Sequence, residues 1–271
     1  MCYIYLNNLN RQLPMPLSKQ GNMERIDLLK NGYKIFQDSE RFQFGIDAIL
    51  LADFAAQGVH AGDSVIDLGT GTGIIPLVMD GKLNTPDTPP VTFTGLEVQK
   101  ESAAMAERSV ELNGLNSRIN IKQGDLKCVS DLFKKHVFNA VTCNPPYMIE
   151  THGKGNVLDA KTIARHEVLC TLEDIVAAAD YLLATHGSFF IIHRPFRLPE
   201  IFEALAVHKL EPKRMRLIHP FADKEPNMVL IEARKNAKRR LTIEPPLVIR
   251  NDKGEYTLEI EEIYNCCNSL A

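Results

Sequence analysis

The segment Val65-Ile66-Asp67-Leu68-Gly69-Thr70-Gly71-Thr72-Gly73-Ile74-Ile75 constrains this chain most. An apolar, strand-like run enters a turn of alternating glycines, and a second apolar run leaves it as a helix. Glycine lets a backbone bend sharply and approach a ligand closely. A strand, a tight turn and a helix in that order open a βαβ unit, and in open α/β sheets ligands bind beyond the carboxyl ends of the strands. A nicotinamide-type turn would need Gly-x-Gly-x-x-Gly. Counting from Gly69 puts Ile74 at the last position, and counting from Gly71 puts Pro76 there, so that spacing is absent.

Downstream, strand-like and helix-like segments alternate. Ser64–Gly69, Thr92–Glu97, Ile119–Asp125, Phe138–Asn144 and Ser188–Arg194 are short β-rich runs. Helical patterns fill Glu101–Asn113, which stops at Gly114, and Leu172–Ala184, which stops near Gly187. Strands separated by helices predict right-handed crossovers and a parallel sheet covered on both faces. A helical Leu198–Lys209 precedes two further strands, Arg214–His219 and Met228–Arg234. From Arg240 the pattern suggests a terminal hairpin turning at Asn251-Asp252-Lys253-Gly254. Upstream, Ile46–Phe54 reads as a helix whose first-turn amides Asp47 would cap, with Ile46 stapled to Leu51. That helix serves either as a lid over a ligand or as cover for the sheet. The resulting division is a flexible tail at 1–22, an amino-terminal cap at 23–60, the main α/β domain at 61–239 and the hairpin at 240–271, packed on the same domain.

Three acidic residues fall at successive strand ends: Asp67, Glu97 and Asp125. An ionised carboxylate there can accept from a pair of vicinal ribose hydroxyls, which suits Glu97. The fourth strand runs into Asn144-Pro145-Pro146-Tyr147 at the same edge. Proline restricts the residue before it to extended conformations, so the tetrapeptide is stiff and its carbonyls are not consumed by a helix. An exocyclic amine or carboxamide nitrogen is a poor nucleophile because its lone pair is delocalised. Two acceptors aimed at its N–H bonds, the Asn144 side-chain oxygen and the Pro145 carbonyl, would favour pyramidalisation and direct the lone pair at an electrophile. Tyr147 would stack on a flat acceptor, worth ~1–3 kcal/mol.

The Asp-x-Gly-x-Gly-x-Gly turn resembles motif I of class I S-adenosylmethionine-dependent methyltransferases, and its pairing with Asn-Pro-Pro-Tyr resembles enzymes that methylate amino or amide nitrogens. Longer stretches are similar to the bacterial valine-tRNA (adenine-N6) methyltransferases. These are Asp27–Gln37 with Phe42-Gln43-Phe44-Gly45-Ile46-Asp47 through Ala52, then Ala164-Arg165-His166-Glu167, Ile192-His193-Arg194-Pro195-Phe196-Arg197-Leu198, and Arg214–Pro220. The resemblance covers roughly residues 24–264; the first 22 residues and the Thr85–Pro90 loop depart from it. It implies a Rossmann-like α/β fold with a seven-stranded, mostly parallel sheet and helices on both faces. It implies S-adenosyl-L-methionine as cofactor, with Gly69, Gly71 and Gly73 under the methionine moiety and Asp67 ordering the turn and nearby waters. Glu97 would hold the ribose, Val98 would pack on the adenine, Asp125 would accept from its exocyclic amine, and Asn144 would border both cofactor and acceptor. Asn144, Pro145, Pro146 and Tyr147 form the catalytic set. The implied substrate is an adenine beside the anticodon of a tRNA.

A net charge of −3 argues against a chain that coats nucleic acid nonspecifically, so local basic clusters must hold any RNA. Arg194, Arg197, Arg214, Arg216 and the run Arg234-Lys235-Asn236-Ala237-Lys238-Arg239-Arg240 are the candidates, with Arg194, Arg197, Lys238, Arg239 and Arg240 foremost. Six cysteines without a CxxC pair, and eight histidines without a ligand spacing, predict reduced thiols and no catalytic metal. No apolar run has the length of a membrane span or a secretory signal, which points to a cytoplasmic protein. The alternatives are a protein glutamine-N5 methyltransferase, a ribosomal RNA guanine-N2 methyltransferase and a non-catalytic RNA-binding protein.

Overall fold

The computed structural model describes residues 24–38, 44–146 and 170–265. The tail expected at 1–22 and the stretch Ala164–Glu167 lie outside them. The chain forms a mixed α/β sheet with helices on both faces. Its strands are β3 (Ser64–Leu68), β4 (Thr92–Glu97), β5 (Ile119–Gln123), β6 (Phe138–Cys143), β7 (Leu183–His193), β8 (Leu210–Phe221), β9 (Met228–Lys235), β10 (Thr242–Ile243) and β11 (Leu247–Arg250). The order is β10-β8-β9-β7-β6-β3-β4-β5, with β11 also beside β8. From β5 to β8 this is the expected seven-stranded, mostly parallel sheet. Only β9 runs against its neighbours β7 and β8. The two short strands after it raise the total to nine.

Both faces are buried, and the central strands show why. Phe189 and Ile191 of β7 point into one core with Ile66, Val141 and Leu182. Phe190 and Ile192 point into the other with Leu50, Leu51, Phe54 and Leu77. Alternate residues of a strand face opposite sides, so a strand covered on both must be apolar throughout. The first core lies under helices α5 (Leu172–Leu182) and α6 (Leu198–Val207). The second lies under α1 (Ile46–Ala56), α2 (Ile74–Leu83) and, toward β5, α3 (Lys100–Leu112). Between β5 and β6 sits the single-turn α4 (Val129–Leu132).

The cap at 23–60 begins with a hairpin that the sequence pattern did not reveal, β1 (Glu24–Leu28) paired antiparallel with β2 (Lys34–Asp38). The hairpin is fastened to the helical layer through polar groups. The amide of Phe36 donates to Ser109 Oγ at 3.0 Å, and that of Lys34 to Asn113 Oδ1 at 2.8 Å. At its turn, the Tyr33 hydroxyl donates to Asp80 at 2.8 Å, and Arg118 makes a two-pronged pair with the same buried carboxylate at 2.7 and 3.0 Å. Burial and the neighbouring Asp80 push the Tyr33 phenol up to about 12, so it stays a donor.

The carboxyl-terminal hairpin is corrected by the structure. The turn is present, with Gly254 at φ 80° and its amide donating to the Asn251 carbonyl. Its return leg, however, is a single bridge from Arg250 to Tyr256. Both β10 and β11 run parallel to β8 instead of pairing with each other. The chain then enters α7 (Leu258–Asn265), whose Ile260 and Ile263, three residues apart, face the core. A helical stripe, not strand alternation, governs those last residues.

Candidate active site

Four parallel strands end along one rim, and a cleft opens there. It is lined by Phe44, Ala48, Gly69, Thr70, Gly71, Thr72, Leu96, Glu97, Val98, Asp125, Asn144 and Pro146 among others. Residues widely spaced along the chain thus converge. Phe44 and Ala48 bring the start of α1 to the wall, so this helix both covers the sheet and borders the cleft.

The turn after β3 is held from its neighbour strand. The amides of Gly69 and Thr70 both donate to the Leu96 carbonyl, at 2.9 and 3.1 Å. Gly69 and Gly71 adopt φ values of 71° and 58°, in the left-handed region where a side chain is strained. A Cβ at either would meet no protein atom within 4 Å and would project into open space at the cleft. Gly73 differs: a Cβ there would crowd Ala106 of α3 at 3.3 Å, and it does not line the cleft. Gly73 also lies at φ 87°, so backbone conformation as well as packing against α3 calls for glycine there.

Glu97 is buried at the tip of β4 and reaches across to the turn. One carboxylate oxygen accepts from the Gly71 amide at 2.9 Å and the other from the Gln99 amide at 2.8 Å. Asp67 lies beneath the turn, 1% exposed, accepting from Thr142 Oγ1 at 2.7 Å. Burial pushes its carboxyl up to about 7, against the pull of the Thr142 hydroxyl and with a further push from Glu97. Among the described residues, Asp67 Oδ2 and Thr70 Oγ1 are buried without a hydrogen-bond partner. Such groups call for a water or a ligand's polar end. Asp125 sits at the rim, where its side chain accepts from the Lys127 amide at 2.9 Å. Val98 is partly exposed on the cleft wall.

The raised carboxyl has a measurable consequence. Below about pH 4, Asp67 is protonated in folded and unfolded chains alike. Between about 4 and 7 the unfolded chain ionises there while the folded chain keeps its proton, so stability falls as pH rises. The loss is on the order of 2–4 kcal/mol above pH 7. Asp67→Asn retains an acceptor for Thr142 and removes the dependence. Its melting temperature is expected to gain on wild type from about pH 4 to 7 and then level off; a constant difference across that window would show that Asp67 is ionised in the fold.

Asn144, Pro145 and Pro146 leave β6 at the rim and divide two cavities. Asn144 and Pro146 line the glycine-turn cleft. Pro145 and Pro146 line a second hollow with Cys170, Thr171, Ile175, His193, Phe196, Arg197 and Glu200. The register explains the neighbours: Cys143 faces Ile191 across β6 and β7, so Pro145 comes level with His193. His193 is buried, and burial first, then Arg197 and Arg194, pushes its imidazole down to about 4. Its Nδ1 accepts the Arg194 amide at 2.8 Å, which leaves the proton of the neutral ring on Nε2. Phe196, by contrast, is 57% exposed at the mouth. Tyr147 lies outside the described residues.

Asp47 does not cap α1. The cap position is Gly45, with no side-chain hydrogen bond, and Asp47 Oδ2 instead accepts from Asn144 Nδ2 at 3.1 Å. Of the proposed RNA-holding arginines, Arg194 and Arg197 come to the rim; Arg194 donates to the Asn227 carbonyl and Arg197 pairs with Glu200 at 2.6 Å. Arg214 is held by Glu244 and Glu232, and Arg216 by Glu259. Those two fix the sheet edge to the carboxyl-terminal segment. Lys238, Arg239 and Arg240 are exposed but belong to the other end of the sheet. Val229 faces His193 at the rim, whereas Lys235 already faces Leu210, roughly 20 Å further along β9. The sequence reading passed over His193, Phe196 and Cys170. The segment Ile192–Leu198 held the signal, because an aromatic flanked by arginines directly after a strand end belongs at the rim.

The model of the methyltransferase small domain matches residues 45–205. The chain belongs to that family. The match begins just before α1 and ends within α6, so it takes in every lining residue of the two cavities except Phe44. Among similar proteins, one from Porphyromonas gingivalis strain W83 is 27% identical over 236 residues, covering 84% of this chain and 89% of the relative. One from Flavobacterium johnsoniae is 26% identical over 231 residues, covering 84% and 92%. Both bear the name tRNA1(Val) (adenine(37)-N6)-methyltransferase. Among solved structures, a predicted O-methyltransferase from Agrobacterium tumefaciens superposes with a TM-score of 0.65 at 24% identity, over 82% of this chain and 96% of that one. Geranyl diphosphate C-methyltransferase from Streptomyces coelicolor, solved with S-adenosyl-L-homocysteine, gives 0.52 at 14% identity over 70% and 75%. The structural likenesses establish the class I methyltransferase fold for this methyltransferase small domain. Among its described residues, no group of His, Cys, Asp and Glu could hold a metal ion, and no helix is long and apolar enough to cross a membrane.

Proposed function

We propose that this chain transfers a methyl group from S-adenosyl-L-methionine to N6 of an adenine in the anticodon loop of a valine tRNA. The observation that carries the reading is the partition: Asn144 and Pro146 face the glycine-turn cleft, while Pro145 and Pro146 face the adjoining hollow. Donor and acceptor would meet across three residues, which is the alignment a methyl transfer needs.

The glycine-turn cleft fits the donor. Gly69 and Gly71 leave room where side chains would intrude, and Glu97 is anchored at the tip of β4, where a ribose would reach it. Asp67 Oδ2 and Thr70 Oγ1 offer unsatisfied polarity beneath the turn. Val98 and Asp125 stand ready for an adenine ring and its amine. When bound, the donor supplies a methyl on a sulfonium, which departs as a neutral thioether. Asn144 Oδ1 and the Pro145 carbonyl would accept hydrogen bonds from the two N–H groups of the acceptor amine, and one of those protons would pass to solvent once the N–CH3 bond has formed. Phe196, exposed at the mouth of the second hollow, would stack on the acceptor base. Arg194 and Arg197 at the rim would meet its phosphates. The names borne by the bacterial relatives support tRNA as substrate and adenine N6 as target, and with a tRNA substrate the chain would work in the cytoplasm. Residues 23–60 would act as the cap of a catalytic domain at 61–239.

The test is incubation with isotope-labelled S-adenosylmethionine and bulk tRNA, ribosomal RNA or ribosome-associated protein, followed by mass spectrometry of digests. Labelled N6-methyladenosine from tRNA is the expected product. Methylglutamine or N2-methylguanosine in its place would reassign the acceptor, and no product from any pool would refute transfer.

A further inference from the structure

We infer that Asp47 is a positioning residue that sets the rotation of the Asn144 side-chain amide, and that residue 45 is glycine to make room for it. The inference rests on reading Asn144 as the group that orients the acceptor amine.

An asparagine amide can present either its oxygen or its NH2 to a substrate, and the two ends are nearly isosteric. Only the oxygen can accept from an exocyclic amine, so an Asn144 free to flip would spend part of its time in an unproductive state. The structure resolves the choice through a residue 97 positions earlier: Asn144 Nδ2 donates to Asp47 Oδ2 at 3.1 Å. An ionised carboxylate only accepts, so it binds the NH2 end and repels the oxygen, which must turn away from it. Asp47 is itself fixed by its place in the second position of α1, a helix buried along Ala48, Ile49, Leu50, Leu51 and Ala52. The amide is thereby referenced to the core.

Gly45 supplies independent support. Its φ of −101° and ψ of −176° are open to any residue, so backbone freedom does not call for glycine there. A Cβ at that position, however, would lie 2.5 Å from Asp47 Oδ1 and 3.5 Å from its Cγ. What it would displace is the tip of the Asp47 side chain and nothing in the core. Alanine at 45 should therefore move the carboxylate off Asn144 while leaving the helix folded. The run Phe44-Gly45-Ile46-Asp47 then reads as one device: a cleft wall, a space and an anchor.

The experiment compares wild type with Asp47→Ala, Gly45→Ala and Asp47→Asn. Its readouts are kcat and KM on tRNA, affinity for S-adenosylhomocysteine, melting temperature, and solvent exchange of the 15N-labelled Asn144 side-chain amide, assigned by its loss in Asn144→Ala. Asp47→Ala and Gly45→Ala are expected to lower kcat about 10–100-fold, with KM and cofactor affinity within about twofold. Both should lose amide protection. Asp47→Asn can still accept from Nδ2 and should recover most of the rate and the protection. Wild-type kcat with unchanged exchange in Asp47→Ala would overturn the inference, as would a fall in kcat that merely follows cofactor affinity or melting temperature. If wild type methylates no tRNA, the functional reading fails separately. The exchange arm still decides Asp47: lost protection in both alanine variants supports it, and unchanged protection overturns it.

Discussion

Asn144→Ala is expected to reduce kcat on tRNA by about 10²–10³-fold while S-adenosylhomocysteine binds within about threefold of wild type. The magnitude is that of removing one preorganised polar group from a reacting centre, roughly 3–4 kcal/mol of transition-state stabilisation. The split between rate and affinity follows from geometry. Asn144 is one of many residues lining the cleft, and the glycine turn, Glu97 and Val98 remain in place without it. Single-turnover kinetics with isothermal calorimetry on the same preparation would check both halves. A loss of cofactor affinity equal to the loss of rate would mean that Asn144 holds the donor and does not orient the acceptor.

Gly71→Val should act in the opposite way. The residue lies at φ 58°, so a β-branched side chain there costs on the order of 1–2 kcal/mol in backbone strain. Nothing of the protein stands within 4 Å of a Cβ at this position, so the side chain would occupy the cleft without disturbing the core. Cofactor affinity is expected to fall at least ~100-fold, about 2.7 kcal/mol, while the melting temperature drops by only a few degrees. Calorimetry and thermal unfolding would separate the two. Near-normal affinity in a folded Gly71→Val chain would remove the glycine turn from the cofactor site.

How far the sequence could be read depended on whether a signal was local. The strands β3 to β6 were visible because each is a short β-rich run closed by a turn or a helix start. The residues Asp67, Glu97, Asp125 and Asn144 were visible because βαβ topology delivers successive strand ends to one rim. Non-local pairing stayed hidden. Thr242–Ile243 and Leu247–Arg250 find their partner some 30 residues earlier in β8, and nothing in their own composition says so. A tight turn at Asn251–Gly254 suggested a hairpin because the helical stripe of Ile260 and Ile263 is interrupted by glutamates. Asp47 was misjudged for the same reason. An acidic residue in a first helical turn carries a local capping signal, but its real partner lies 97 residues away. The basic side chains illustrate a further limit. Charge clustering is legible, yet only strand register showed that Lys238, Arg239 and Arg240 sit at the far end, and only the fold showed that Arg214 and Arg216 are taken by glutamates.

The strands β10 and β11 have a consequence beyond architecture. β8 is twelve residues long, and without them its outer side would offer an open ladder of amides and carbonyls to any passing chain. Exposed edges of that kind template strand-to-strand aggregation. Two brief parallel strands, interrupted by Pro245 and Pro246, occupy the ladder while being too short to extend it. The segment after Arg240 therefore guards colloidal stability as well as packing: a chain cut there would lose Leu247, Ile249, Ile260 and Ile263 from the core and present an adhesive border to its own copies.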